Sequence, residues 1–232
     1  MKQELLRMLA AGRERETELA DLCADEPARA DGGWTAKDQL AHLAYWRLRN
    51  AGLLESVRSG GDLPPSVDDD EQNAIVYVEN RDRPAADIKK DAKASWSAMA
   101  SFVEACAGDD DLLKPHPYAP EYRLWETVTG DVDHLVAHCA SFYLEGGEVE
   151  RAEAALRWAY AVAHDLLSEP APRAYSAYNL GCLFARTGRA EDAVAMFRES
   201  FEAKPALIEH ARQDPDLDPL RGHPELVRLL GA

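Results

Sequence analysis

Apolar residues return at intervals of three and four through most of the chain, which is the spacing of one face of an α-helix. Residues 3–23 place Leu5, Leu6, Leu9, Ala10, Leu19 and Leu22 on such a face, with charges between them. A second helix is predicted from Thr35 to about Arg58. Thr35 is its N-cap, Asp38 its imperfect capping-box partner, and Gly60-Gly61 its stop. Residues 62–70 read as an acidic loop. In residues 71–82 the run Ala74 to Val78 permits a strand on propensity, but its flanks favour a short helix or an ordered loop. Ile88, Ala92, Trp96, Met99 and Val103 mark a third long helix over 85–107, and residues 108–121 form a Pro-rich loop. A fourth helix is predicted over 122–145, ended by Gly146-Gly147. Four long helices with longer connections predict an all-α chain whose first domain, residues 1–146, is an antiparallel four-helix bundle.

After Gly147 the texture changes. Residues 147–232 are richer in Ala and carry a repeat signature. Leu180, Gly181, Phe184, Gly188, Ala193, Phe197 and Pro205 fall at positions 7, 8, 11, 15, 20, 24 and 32 of a 34-residue window. That pattern resembles a tetratricopeptide repeat, in which small residues sit where two helices cross and large ones fill the groove beside them. Ser200, at position 27, is the weak match. A fainter copy runs through Ala140, Tyr143, Gly147, Ala152, Leu156 and Ala159. The second domain is therefore expected to be a helical-hairpin array. It should end in a polar, turn-rich cap, as terminal repeats require.

Composition narrows the classes of function. Of 232 residues, 42 are acidic and 26 are Lys or Arg, a formal net charge of −16. Phosphate backbones and anionic lipid surfaces both demand a basic face, so neither nucleic acid nor membrane is an expected partner. The amino-terminal stretch is charged throughout and lacks the apolar core of a secretory signal. Cys23, Cys106, Cys139 and Cys182 form no CxxC pair, and they read as reduced thiols of a cytoplasmic protein.

Three of the seven histidines stand apart. His134 and His138 are four residues apart and project from one helix face, a spacing that lets both imidazoles reach one ion. His42 is the polar member of LAHLAYW and should point inward from the second helix. A three-imidazole site leaves positions open for water or substrate, which is the mark of a catalytic rather than a structural centre. The plainer alternatives are a satisfied core histidine for His42 and a solvated helix face for the pair. Asp131 shares the stripe of His134 and His138. It could be a fourth ligand, could orient an imidazole from behind, or could simply favour the dipole of a first helical turn. Trp34, Tyr45, Trp46, Asn73, Tyr77 and Trp125 lie near the histidines in sequence. Of these, Tyr45, Trp46, Asn73, Tyr77 and Trp125 are the candidate walls of a substrate pocket. No phosphate-binding glycine loop, nucleophile elbow or HExxH motif occurs.

The segments WTAKDQLAHLAYW, NAIVYVENRDRP and LWETVTGDVDHLVAH resemble the DinB-like superfamily, most closely its DfsB/ClbS-type branch. The resemblance implies a four-helix bundle with a pocket between the helices. It also implies a divalent metal held by one histidine of the second helix and an HxxxH pair of the fourth. His42, His134 and His138 fall on those places. The donor set suits Zn, Ni, Fe or Mn alike. The implied activity is hydrolysis or thiol transfer on a small reactive electrophile, in detoxification or self-protection. Members of the ClbS-type branch that lack the metal histidines imply a metal-free hydrolase as one alternative. A protein-interaction adaptor, docking a partner through the repeat region around Tyr178, Asn179 and Arg186, is the other.

Overall fold

The computed structural model describes residues 1–25 and 32–231. Among these the chain is all-helical, without a strand; the one extended pairing is an isolated bridge between Pro115 and Arg123. It divides into two compact units, Met1–Phe142 and Tyr143–Ala232.

The first unit contains α1 (Lys2–Leu22), α2 (Ala36–Ser59), α3 (Asp69–Asn80), α4 (Ala85–Ala105), the short α5 (Asp109–Leu112) and α6 (Leu124–Glu145) up to Phe142. The predicted start of α2 is a full capping box. The Thr35 hydroxyl accepts from the Asp38 N–H at 3.2 Å, and the Asp38 carboxylate accepts from the Thr35 N–H at 2.9 Å. The helix stops at Gly60, whose φ of +73° only glycine adopts without strain. The ambiguous run Ala74 to Val78 is helical. Asp68 accepts from the Glu71 N–H at 3.0 Å, acids fill the first turn, and only Val76 is buried, so the alternating burial of a strand never develops.

Leu5 and Leu19 of α1, Leu40 and Leu54 of α2, Ile88 and Met99 of α4, and Val132 and Leu135 of α6 share one core. Gly12 lets α1 lie against Trp96, since a Cβ there would fall 2.8 Å from the indole. That core also holds charge. Arg47 is 1% exposed; it donates to Glu16 at 2.8 Å and to Ser95 at 3.0 Å, and its guanidinium lies 3.6 Å from the centre of the Trp96 ring. The Trp96 indole N–H in turn donates to Glu16 at 2.7 Å.

The second unit contains α7 (Val149–Leu166), α8 (Pro170–Arg186), α9 (Ala190–Ala203) and α10 (Leu207–Gln213). A 3-10 turn (Pro215–Leu220) and α11 (Pro224–Leu229) follow. Two of its glycine turns are alike in detail. Gly147 and Gly188 have φ of +76° and +77°. The residues after them, Glu148 and Arg189, have φ, ψ of −94°, 62° and −95°, 67°. Each donates its N–H over 2.8 Å to the carbonyl of an aromatic residue, Tyr143 or Phe184. Gly181 does for α8 and α9 what Gly12 does for α1: a Cβ there would meet Phe197 at 2.8 Å. Ser200, the weak position of the repeat pattern, is fully buried with its hydroxyl unpaired. The tail is tied down by Asp214, which accepts from the Tyr178 hydroxyl at 2.6 Å and from the Asp216 N–H at 2.9 Å.

Candidate metal centre and pocket

Three helix faces in the first unit converge. On α2, Gln39, His42, Trp46 and Asn50 follow one another at intervals of three, four and four. On α6, Thr127, Asp131, His134 and His138 repeat at four, three and four, and on α3 Asp69 and Asn73 are four apart. Each set occupies one stripe of its helix. Apart from Gln39, these residues line a single pocket of about 420 Å³, together with Trp34 and Gly130. That volume is in the range of small-molecule sites.

The three histidines sit in its wall. His42 Nε2 is 3.0 Å from His134 Nε2, and the His138 ring centre is 4.4 Å from that of His42 and 4.6 Å from that of His134. One nitrogen from each ring lies within 4.8 Å of the others, so the cluster could hold a metal ion. A separation of 3.0 Å suits two nitrogens each about 2.0–2.1 Å from a shared ion. His138 Nδ1 is 2.6 Å from Gln39 Oε1, an acceptor. That contact puts the proton on Nδ1 and leaves the Nε2 lone pair for a ligand. Burial, reinforced by the neighbouring His138, holds the His42 imidazolium down to about 3. Burial alone holds His138 down to about 4, and burial together with both neighbouring rings holds His134 well below the usual range. All three are therefore neutral at pH 7, the protonation state that ligates metals. His42 Nδ1 is buried without a partner.

Of the predicted pocket residues, Trp46 and Asn73 line the cavity and hold each other, the indole N–H donating to Asn73 Oδ1 at 2.8 Å. Tyr77 stacks on Trp34 at 6.2 Å and supports that wall. Tyr45 and Trp125 do not line the pocket. Tyr45 lies edge-on to Trp46, and Trp125 is buried in the helical core. Asp131 lies two turns inside α6, so the first-turn dipole does not account for it. It is 3% exposed, and its Oδ1 accepts from Asn50 Nδ2 at 3.1 Å rather than from an imidazole. Its Oδ2 has no partner, and burial pushes the carboxyl up to about 6. Gln39, Asn50, Asp69 and Thr127 are additions to the predicted set. The four-residue spacing from His42 through Trp46 to Asn50, and from Thr127 to Asp131, is the signal that marks two of them.

His116 lies in the Pro-rich loop, where its Nδ1 accepts from the Tyr118 N–H at 3.3 Å, and it does not line the pocket. All four cysteines are buried. No described helix is long and apolar enough to cross a membrane. No protein-family description, curated protein or solved structure matches the chain.

Proposed function

We propose that this chain is a small-molecule enzyme of DinB-like type that acts on a reactive electrophile by hydrolysis or thiol transfer, with a divalent metal on His42, His134 and His138. The observation that carries this reading is the convergence of three neutral imidazoles on the wall of one pocket. The three rings pack on one another and on Trp34 but have no acid partner, so they bring neutral imidazole nitrogens together rather than a balanced ion pair. Donors with free lone pairs around one point are what a metal requires. The bound ion would supply Lewis acidity and make a water or thiol more acidic.

The protein's own groups do the rest. Gln39 fixes the ring and tautomer of His138. Asn73 fixes Trp46, so two indoles bound the space where substrate would lie. Asn50 holds Asp131 in the same wall, where its buried carboxylate sets the charge of the pocket. The repeat-like second unit is proposed as a tetratricopeptide-type hairpin array. The matched Gly147 and Gly188 turns support that, and it is the element that would carry a protein partner.

The test is elemental analysis of the full chain beside the His134→Ala/His138→Ala double variant, followed by turnover assays on electrophiles with and without a low-molecular-weight thiol. One divalent ion per chain that vanishes in the variant, with activity lost alongside, is the expected result. Activity that survives a chelator would leave the metal-free hydrolase. Absence of metal and turnover in both proteins would leave an adaptor.

A further inference from the structure

The pocket is unusual in its charge. Two carboxylates, Asp69 and Asp131, and two indoles, Trp34 and Trp46, line it, and no lysine or arginine does. Arg47, whose charge also reaches Asp131, is already matched by Glu16 at 2.8 Å. Asp131 is therefore a buried carboxylate without an ion-pair partner of its own. One of its oxygens is satisfied by Asn50 and the other by nothing. A buried charge without a partner is costly, and a cation brought close to it recovers that cost. The indoles add to this. Their faces attract cations, most strongly where water is excluded, and Trp46 is fixed by its bond to Asn73.

We infer that this pocket selects small ligands bearing a protonated amine, whose cationic group lies against Trp34 and Trp46 within the field of Asp131 and Asp69. The inference rests on the reading of the pocket as a small-molecule site and names the class of substrate it takes. Neutral ligands would gain only the apolar walls. Anionic ligands would be repelled unless a metal on the histidines drew them in. The reacting end of the molecule would face the imidazoles, and the amine would face the Asp131 side.

The experiment compares three probes of one size at pH 7.5: benzylamine, benzyl alcohol and benzoate. Their binding to the chelator-dialysed full chain is followed by tryptophan fluorescence and calorimetry. The expected result is benzylamine tighter than benzyl alcohol by about tenfold or more, with benzoate weakest. Asp131→Asn keeps an acceptor for Asn50 and should bring the ratio down to about threefold or less. In the Asp69→Asn/Asp131→Asn double variant the ratio should fall to about one, with circular dichroism reporting that each variant is folded. Equal affinities in the native chain, a preference that survives the double variant, or no binding of any probe at about 20 mM would each overturn the inference. Metal content measured on the same preparations separates the two readings. Stoichiometric metal without amine preference sinks the substrate class alone, and amine preference without metal uptake sinks the metal-dependent chemistry alone.

Discussion

The two units of this chain bury different things. In the first, Glu16, Lys37, Asp38, His42, Arg47 and Asp131 are all buried; in the second, the described residues bury no ionisable side chain except cysteine and tyrosine, and the buried polar residues are Ser176 and Ser200. Both units use a glycine to seat an aromatic ring, and both are helical throughout. The second is thus a solution to packing. The first carries polar groups that packing alone would have replaced, because a buried ion pair is often no better for stability than apolar residues of the same volume. Those polar groups include the residues of the candidate metal centre, so the proposed site lies in the unit that bears this cost.

The largest effect should come from breaking the buried pair. Arg47→Met leaves Glu16 without its counter-charge in a site where burial already raises its carboxyl. The expected loss is about 3–5 kcal/mol in urea denaturation. The Glu16→Met/Arg47→Met double variant should recover most of it. Phe197→Ala, in the second unit, should cost a similar ~3–5 kcal/mol, but by leaving a cavity, so no second substitution of a charge will rescue it. Equal losses with unequal rescue would sharpen the contrast. Rescue in neither would erase it.

Acid should separate the units next. His42 is held down to about 3, below its ordinary value of 6.5, so the unfolded chain binds the extra proton between those values. Its contribution to stability is therefore full above about pH 6.5 and is lost as the pH falls toward 3. Asp131 and Asp133, raised by burial to about 6 and about 7, act in the opposite sense and flatten the profile of the native chain. The readable quantity is the difference between variant and native protein. Metal-free His42→Gln should gain stability relative to the native chain by up to about 1.4 kcal/mol per pH unit below 6.5. A difference that does not change with pH would mean that the imidazole takes up its proton in the folded chain as readily as in the unfolded one.

How much of this was legible in the sequence follows from which interactions are local. The capping box at Thr35, the stop at Gly60 and the turn glycines Gly147 and Gly188 depend on a few adjacent residues, and the sequence states them directly. The histidine trio was legible because two members share a helix face and the third interrupts an apolar run. Glu16, Arg47 and Trp96 come from three separate helices, and nothing in their own neighbourhoods sets them apart from solvated charges and an ordinary core aromatic. Tyr45 and Trp125 lie off the pocket for the converse reason. Nearness along the chain does not say which face of a helix a ring takes, and a step of one residue turns it about 100° away.

A moderate effect is expected at the two crossing glycines. A Cβ at Gly12 or Gly181 falls 2.8 Å from a ring that is itself fully buried. Overpacking of about 1–3 kcal/mol therefore exceeds the gain of up to about 1 kcal/mol from replacing a helical glycine. Gly12→Ala and Gly181→Ala should each lower stability by about 1–2 kcal/mol, measured by thermal melts of the single variants. A stabilised Gly181→Ala would mean that α8 and α9 can part without loss.

The smallest expected difference concerns how helices begin. In the first unit, α2 starts on a reciprocal box whose hydroxyl and carboxylate are both buried, so Thr35→Ala removes an acceptor that water cannot replace. The expected loss is about 1 kcal/mol. In the second unit, α7 starts at Glu148 with no side-chain cap. Its carboxylate makes only an exposed pair with Arg151 at 2.7 Å, an arrangement worth a few tenths of a kcal/mol at most. Glu148→Ala should therefore change stability by less than about 0.5 kcal/mol, and that small change should shrink further in high salt, where the Thr35→Ala loss should persist. Matching losses at the two positions would show that the second unit, too, depends on polar contacts at its helix starts, and the division of labour drawn between the units would fail at its weakest point.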